Sequence, residues 1–179
     1  SVSAVRLAGK GTEVTLDGDV GPVEPSRRTG QRTTEGTHVY NASAMCNQFV
    51  WRHNLARDGL RNGLVLKGTG GLVEHNRFVG LGGNGIHIGN TPFEGLAASD
   101  YAIRRNVFEN CGLLAPRHPP PSVYVTFLHG DGATPLHRNL LIADNLFLDN
   151  PERPIEIQAA GAVVVTGNRF ENHARAVFR

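Results

Sequence analysis

The 179-residue chain is short of several features, and each shortage closes a class of explanation. No stretch approaches the roughly 20 consecutive apolar residues of a membrane-spanning helix, so nothing in it points to a membrane. No Lys/Arg run or basic helix accompanies the net charge of +2, which removes the electrostatic basis for nucleic-acid binding. Two cysteines, Cys46 and Cys111, are too few for a disulfide scaffold, and two buried free thiols are expected. The eight histidines show no H-E-x-x-H or paired spacing, so no metal site is expected from them. Apolar residues at helical spacing are missing too. The chain opens at Ser1 without initiator Met or signal peptide, as a processed or truncated end would.

What the chain has is repetition. In Gly71 to Ile88 (GLVEHNRFVGLGGNGIHI) a short apolar strand leads into His75-Asn76-Arg77-Phe78, a glycine-rich bend follows, and a second alternating strand begins at Ile86. The same order returns at Arg105-Asn106-Val107-Phe108, Asp144-Asn145-Leu146-Phe147 and Gly167-Asn168-Arg169-Phe170. A weaker copy stands upstream at His53-Asn54-Leu55-Ala56. Asn54 to Asn76 is 22 residues and Asn145 to Asn168 is 23, whereas the two middle intervals are 30 and 39. From the last apolar anchor to the next strand the distance is constant: Ala56 to Leu64, Phe78 to Ile86 and Phe147 to Ile155 are each 8. A strand-bearing unit of this length is one coil of a solenoid. Leucine-rich repeats have a similar period but need leucines at several set positions, which are absent.

Side chains alternate along a strand, so the register of the copies assigns faces. Leu64, Leu66, Ile86, Ile88, Val123, Val125, Ile155 and Ile157 point inward. Val65, His87, Tyr124 and Glu156 then form one outward column, and Lys67, Gly89, Thr126 and Gln158 the next. The extra residues of the long intervals fall at 89–100, 109–122 and 126–138, beside these columns, and loops of such length in a compact repeat are usually functional. The stiff run His118-Pro119-Pro120-Pro121 suits a wall. The repeated Asn has a structural explanation, an amide ladder at successive bends, with the Phe residues stacked in the core. Residues 1–36 read as an irregular lead-in or the end of a preceding region, and residues 37–179 as the repeat domain.

The repeated N-x-F, the G-[LI]-x-[LI] strands and the coil length resemble the right-handed parallel β-helix superfamily of pectate-lyase-like proteins over about residues 40 to 179. The resemblance implies an all-β, right-handed parallel β-helix of about five coils. Within it, Ala56-Arg57-Asp58-Gly59 through Gly63-Leu64-Val65-Leu66, then Val73-Glu74-His75-Asn76, Ile86-His87-Ile88, Phe93-Glu94-Gly95 and Ile103-Arg104-Arg105-Asn106 are similar to β-helix glycosidases of the α-1,3-galactosidase type, glycoside hydrolase family 110. That family carries acids in the loop after the strand equivalent to Ile86-His87-Ile88. Gly89-Asn90-Thr91 stand there in this chain, and Glu94 is the nearest acid and the one position carried over.

A glycosidase needs two carboxyl groups across the scissile bond, about 5 to 5.5 Å apart for retention and about 6.5 to 9.5 Å for inversion. Glu94, Asp100, Asp131 and Glu156 are the acids that could face the exposed columns. The candidate catalytic set is Glu156, Glu94 and Asp131, with Glu156 favoured because it projects from a strand rather than a loop. The bland alternative for Glu156 is a solvated strand residue paired with Arg153, and for Asp131 an Asp-Gly turn. His87, Tyr124, Lys67, Gln158, Asn90, Arg61 and His129 form the candidate sugar-binding set, Tyr124 as stacking residue, while Trp51 is expected inside. The expected function is therefore a glycoside hydrolase, or part of one, acting on an oligo- or polysaccharide, secreted or periplasmic, with no cofactor. A polysaccharide lyase or uronate epimerase, using Lys67, Arg61 or His87, with Ca²⁺ in the lyase case, is the second reading. A non-catalytic glycan-binding or structural module, associating through open coil ends or with missing N-terminal coils, is the third.

Overall fold

A computed structural model describes residues 2–8, 11–16, 27–29, 32–35, 47–90, 97–114, 119–127, 137–158 and 160–173. The chain divides into two compact units, Ser1–Val39 and Tyr40–Arg179. In the first, β1 (Val2–Ala8) pairs antiparallel with β2 (Gly11–Leu16), and β3 (Arg27–Thr29) with β4 (Arg32–Glu35). The second pair lies inside the Gly, Pro, Arg and Thr-rich stretch that sequence pattern alone reads as irregular.

The second unit is a stack of coils. Coil one holds β5 (Phe49–Arg52), β6 (Leu55–Arg57) and β7 (Leu64–Leu66), and coil two holds β8 (Thr69–Glu74), β9 (Arg77–Leu81) and β10 (Ile86–Asn90). Coil three holds β11 (Ser99–Arg104), β12 (Val107–Cys111) and β13 (Val123–Phe127), and coil four holds β14 (His137–Ala143), β15 (Leu146–Leu148) and β16 (Ile155–Ile157). Coil five contributes β17 (Ala160–Thr166) and β18 (Arg169–Glu171). Each strand pairs in parallel with the strand three elements away, giving three sheets in the orders β17-β14-β11-β8-β5, β18-β15-β12-β9-β6 and β16-β13-β10-β7. This is a parallel β-helix of five coils among the described residues, the architecture the repeat implied.

The asparagines hold the coils in phase. Asn106 donates its backbone N–H and its Nδ2 to Asn145 Oδ1, at 2.9 and 3.0 Å, and Nδ2 donates also to Val73 O at 3.0 Å. Its own Oδ1 accepts the backbone N–H and Nδ2 of Asn76, both at 3.0 Å. The same exchange links Asn54 to Asn76 and Asn145 to Asn168. Asn76, Asn106 and Asn145 are each 1% exposed, so every donor and acceptor of the amide must be met inside the fold, and the ladder meets them. The residue before each Asn bends the chain in the left-handed region: His53, His75, Arg105, Asp144 and Gly167 have φ of 57°, 54°, 54°, 54° and 64°. For the non-glycine members that conformation costs about 1 to 2 kcal/mol, offset by ladder bonds contributing about 0.5 to 1.5 kcal/mol each.

Two residues on, the aromatic rings stack. Phe78, Phe108 and Phe147 are fully buried, with ring centroids 4.9 Å apart in both steps and ring planes within 4° and 10° of parallel. Phe147 and Phe170 continue the column at 5.1 Å. Ala56 holds the first position, partly buried against the core. Trp51 is inside as expected, its ring 5.4 Å from that of Phe78. Ile86, Ile88, Val123, Val125 and Ile155 are buried and Leu64, Leu66 and Ile157 pack with them, so the inward register is as read from sequence.

Cys111 is a buried free thiol beneath this column, its Sγ 3.6 Å from Phe78 O. Burial pushes the thiol up to about 12 from an ordinary 9.0. Cys46 lies outside the described residues.

Two outcomes follow from this packing. Phe108→Ala removes the central ring of the stack and is expected to lower the unfolding free energy by about 3 to 5 kcal/mol, read from urea or guanidinium midpoints. Cys111 is expected to resist a thiol reagent in the native state and to react once unfolded. Between pH 9.0 and about 12 the native state keeps a proton that the unfolded state gives up, so this thiol lowers stability as pH rises through that window, and Cys111→Ser or Ala should flatten that part of the pH profile.

Candidate functional site

The four-stranded sheet β16-β13-β10-β7, the last strand of each of coils one to four, carries the groove. Along it the register is His87 opposite Val65, Tyr124 opposite His87, and Glu156 opposite Tyr124. A second column runs two residues before each strand's first inward residue: Asn62, Asn84, Pro121 and Arg153. The backbone bonds Leu64 N to Gly85 O, Ile86 N to Ser122 O and Val123 N to Pro154 O keep this column in step with the first. Between the two columns lies a groove of about 460 Å³, lined by Asn62, Asn84, His87, Tyr124, Glu152, Arg153, Glu156 and the wall Pro119-Pro120-Pro121.

The floor is ordered from one coil to the next. The His87 and Tyr124 rings stack at 5.4 Å and 14°. Gly89 leaves room for the imidazole, since a Cβ there would meet His87 Nε2 at 2.5 Å and Thr126 O at 3.0 Å. Asn62 Nδ2 lies 3.5 Å from His87 Nδ1, and Asn84 donates its backbone N–H to Asn62 Oδ1 at 2.9 Å while its Nδ2 donates to Pro121 O. Gln158 ties the far end together: its Oε1 accepts from Thr126 Oγ1 at 3.2 Å and from Tyr124 Oη at 3.5 Å, and its Nε2 donates to Glu156 Oε1 at 2.6 Å.

Glu156 points away from the core, as register requires, yet is only 9% exposed. Arg153 Nη1 donates to its Oε2 at 2.9 Å, and Nη2 of the same guanidinium lies 3.6 Å from Glu152 Oε1. Glu152 is 2% exposed. The pairing with Arg153 weighed for Glu156 is therefore real, but the residue is covered rather than solvated. One guanidinium between two carboxylates is the electrostatic centre of the groove.

The other sequence candidates fall elsewhere. Lys67 lies against a separate hollow of about 550 Å³ with Phe49, Trp51, Leu64, Val65 and Leu66, and is not among the residues lining the groove. Arg61 is exposed and outside the groove, which takes its neighbour Asn62 instead. Asp100 does not face the columns: it sits in β11, in another sheet, at φ 60°, where the Asn139 amide and then the Ser99 hydroxyl hold its carboxyl below the usual value. The expectation fails there because a left-handed residue at a strand's start belongs to the bend, not to the loop beside the groove. Asn90 pairs through its backbone with Phe127, and its side chain lies outside the described residues, as do Glu94, His129 and Asp131. Among the described residues no cluster of three His, Cys, Asp or Glu is placed to hold a metal ion.

Glu152, Asn62 and Asn84 were missed in the sequence. The asparagines had a signal: Asn62-Gly63-Leu64 and Asn84-Gly85-Ile86 repeat at the coil length, 22 residues apart. Glu152 had none, since its position follows from the bend between β15 and β16.

A family model described as the right handed beta helix region matches residues 35–178. No curated protein and no solved structure matches the chain.

Arg153→Met tests the charge arrangement. It leaves two covered carboxylates without their shared cation, and is expected to cost about 3 to 5 kcal/mol at neutral pH in denaturant unfolding.

Proposed function

The chain belongs to the right-handed β-helix family, and from that premise we propose that the groove binds a glycan and that Glu156 serves a glycoside hydrolase as one of its two carboxyl groups. One observation carries the reading: a covered carboxylate stands on a rigid strand in the same column as a stacked pair of rings, inside a walled groove. Rings that stack on the C–H faces of a sugar, beside polar groups fixed by their own hydrogen bonds, are what a saccharide site needs. The similarity of the 56–106 segment to glycoside hydrolase family 110 supports the same class.

We propose the following roles, each supported by a contact in the groove. Glu156 accepts on both oxygens, from Gln158 and from Arg153, the part of a base or nucleophile rather than of a proton donor. Arg153 stands between Glu156 and Glu152, so Glu152 balances charge and is not the carboxyl across a scissile bond. Glu94 and Asp131 are the sequence candidates for that second carboxyl. His87 and Tyr124 supply the apolar floor as a mutually stacked pair, and Gln158 holds Tyr124 and Glu156 in a fixed relation. A lyase would need a cation for the uronate carboxylate, and Arg153 is already occupied, which weighs against that alternative.

The test is release of reducing sugar from a glycan panel. Turnover is expected, falling roughly a hundred- to ten-thousand-fold in Glu156→Gln while the glycan still binds. Tyr124→Ala should weaken binding instead. Saturable binding with no turnover on any glycan would overturn the hydrolase and leave a binding module; an unsaturated product would favour the lyase.

A further inference from the structure

We infer that the groove accepts uncharged or amino-bearing sugars and excludes uronates, with Glu156 as the residue that sets the preference. The inference rests on the glycan reading above and adds the class of sugar. A uronate carboxylate needs a cation or several donors at the point where it lands. Arg153 is the one guanidinium among the described residues lining the groove, and it is engaged twice, by Glu156 at 2.9 Å and by Glu152 at 3.6 Å.

The side chains of Glu156 and Glu152 are 11% and 3% exposed, so water screens the cluster poorly. A uronate would enter as a third carboxylate around one guanidinium. It would either meet like-charge repulsion or displace Glu156 from Arg153, leaving a covered carboxylate without its cation. The remaining amide donors carry no charge to balance a carboxylate, and each is already engaged in part: one N–H of Asn84 goes to Pro121 O, one of Gln158 to Glu156, and Asn62 Nδ2 lies against His87 Nδ1.

A hydroxyl or an ammonium meets the opposite situation. An ionised carboxylate has about four acceptor positions, and the contacts to Arg153 and Gln158 occupy two of those on Glu156. A sugar donor can take another without disturbing the ion pair. An ammonium gains charge attraction as well, and a neighbouring aromatic face adds to it.

The experiment uses oligomers of galactose, galactosamine and galacturonate of one length, with the matching glucose, glucosamine and glucuronate set, titrated calorimetrically at low ionic strength and mildly acidic pH. These probes share ring configuration within each set and differ in charge. The neutral and amino-bearing members are expected to bind at least roughly tenfold tighter than the uronate of the same set. Glu156→Gln releases half of Arg153 and should narrow or reverse that ratio through a gain in uronate binding, which a merely structural role would not produce. Should that variant not fold, salt on the native protein gives the same information: added salt should weaken the amino-bearing oligomer and leave the neutral one unmoved. A uronate that binds the native protein as well as its neutral partner overturns the inference while the glycan reading stands. An unchanged ratio in folded Glu156→Gln overturns the role of that residue. Binding of none of the six sinks the glycan reading, and the inference with it.

Discussion

The amide ladder is the constraint on which the rest of this structure depends. A buried asparagine that exchanges both backbone and side-chain hydrogen bonds with its neighbours one coil away can do so only in one register. Strands in a sheet are spaced by about 4.7 to 4.9 Å, and the ladder makes each coil repeat at that spacing without lateral drift. The phenylalanine column follows from it, because rings fixed two residues from the ladder must lie one above another. A one-residue slip in any coil would turn its inward residues out, orphan an amide and break the ring stack together, so the three errors are coupled. That coupling, more than any single contact, selects one structure.

The groove is a consequence of the same phase. Once Ile86, Val123 and Ile155 are inside, His87, Tyr124 and Glu156 are outside in a line, with the second column fixed alongside by the bends before each strand. Rung spacing then makes chemistry out of alignment. Two aromatic residues at the same position in adjacent coils become a stacked pair, and a glutamine just past the end of β16 reaches a tyrosine on the neighbouring β13 and a glutamate two residues back in its own coil. The insertions interrupt coil length without disturbing register, which is why intervals of 30 and 39 residues still leave the asparagines bonded to one another.

Repetition explains what was legible in the sequence. The N-x-F copies, the constant spacing of 8 to the next strand and the alternation in Ile86-His87-Ile88 and Ile155-Glu156-Ile157 carry the coils, the core and the outward column. Such features obey a short-range rule, so a single chain reveals them. Bends obey a different one. Asp100 looks like a loop acid because Ser99-Asp100 follows an insertion, yet the left-handed residue at that place in every coil, from Gln48 and Gly70 to Asn139 and Ala162, makes it part of a corner. Glu152 was illegible for a related reason: its burial comes from the turn that brings Arg153 over the groove, and no periodicity reports on a turn. The pairing of β3 with β4 shows the same limit, as antiparallel partners in short polar segments leave no alternating apolar trace. Lys67 shares a column with Gln158, but in coil one it has the apolar hollow beside it rather than the wall, so column membership alone does not make a site.

In a solenoid each coil touches only its neighbours, and its ends are the least constrained part. The burial pattern follows this: Val163, Val165 and Phe170 in coil five and Phe49 and Trp51 in coil one are only partly buried, whereas Val73, Phe78, Ile103, Phe108, Ile142 and Phe147 are closed off. His87, Tyr124 and Glu156 occupy coils two, three and four, the interior of the stack. In their own sheet His87 and Tyr124 are held between two further rungs, whereas Glu156 stands on β16, the end strand of that sheet among the described residues, and is fixed instead by Arg153 and Gln158. Coils one and five then have a use beyond their own contacts. By pairing through β7 with β10, and through β17 and β18 with β14 and β15, they let a carboxylate, a guanidinium and two rings keep fixed distances in a surface groove, where side chains on a less constrained support would average over rotamers. The short outer coils are thus as much a part of the site's preorganisation as the residues that line it.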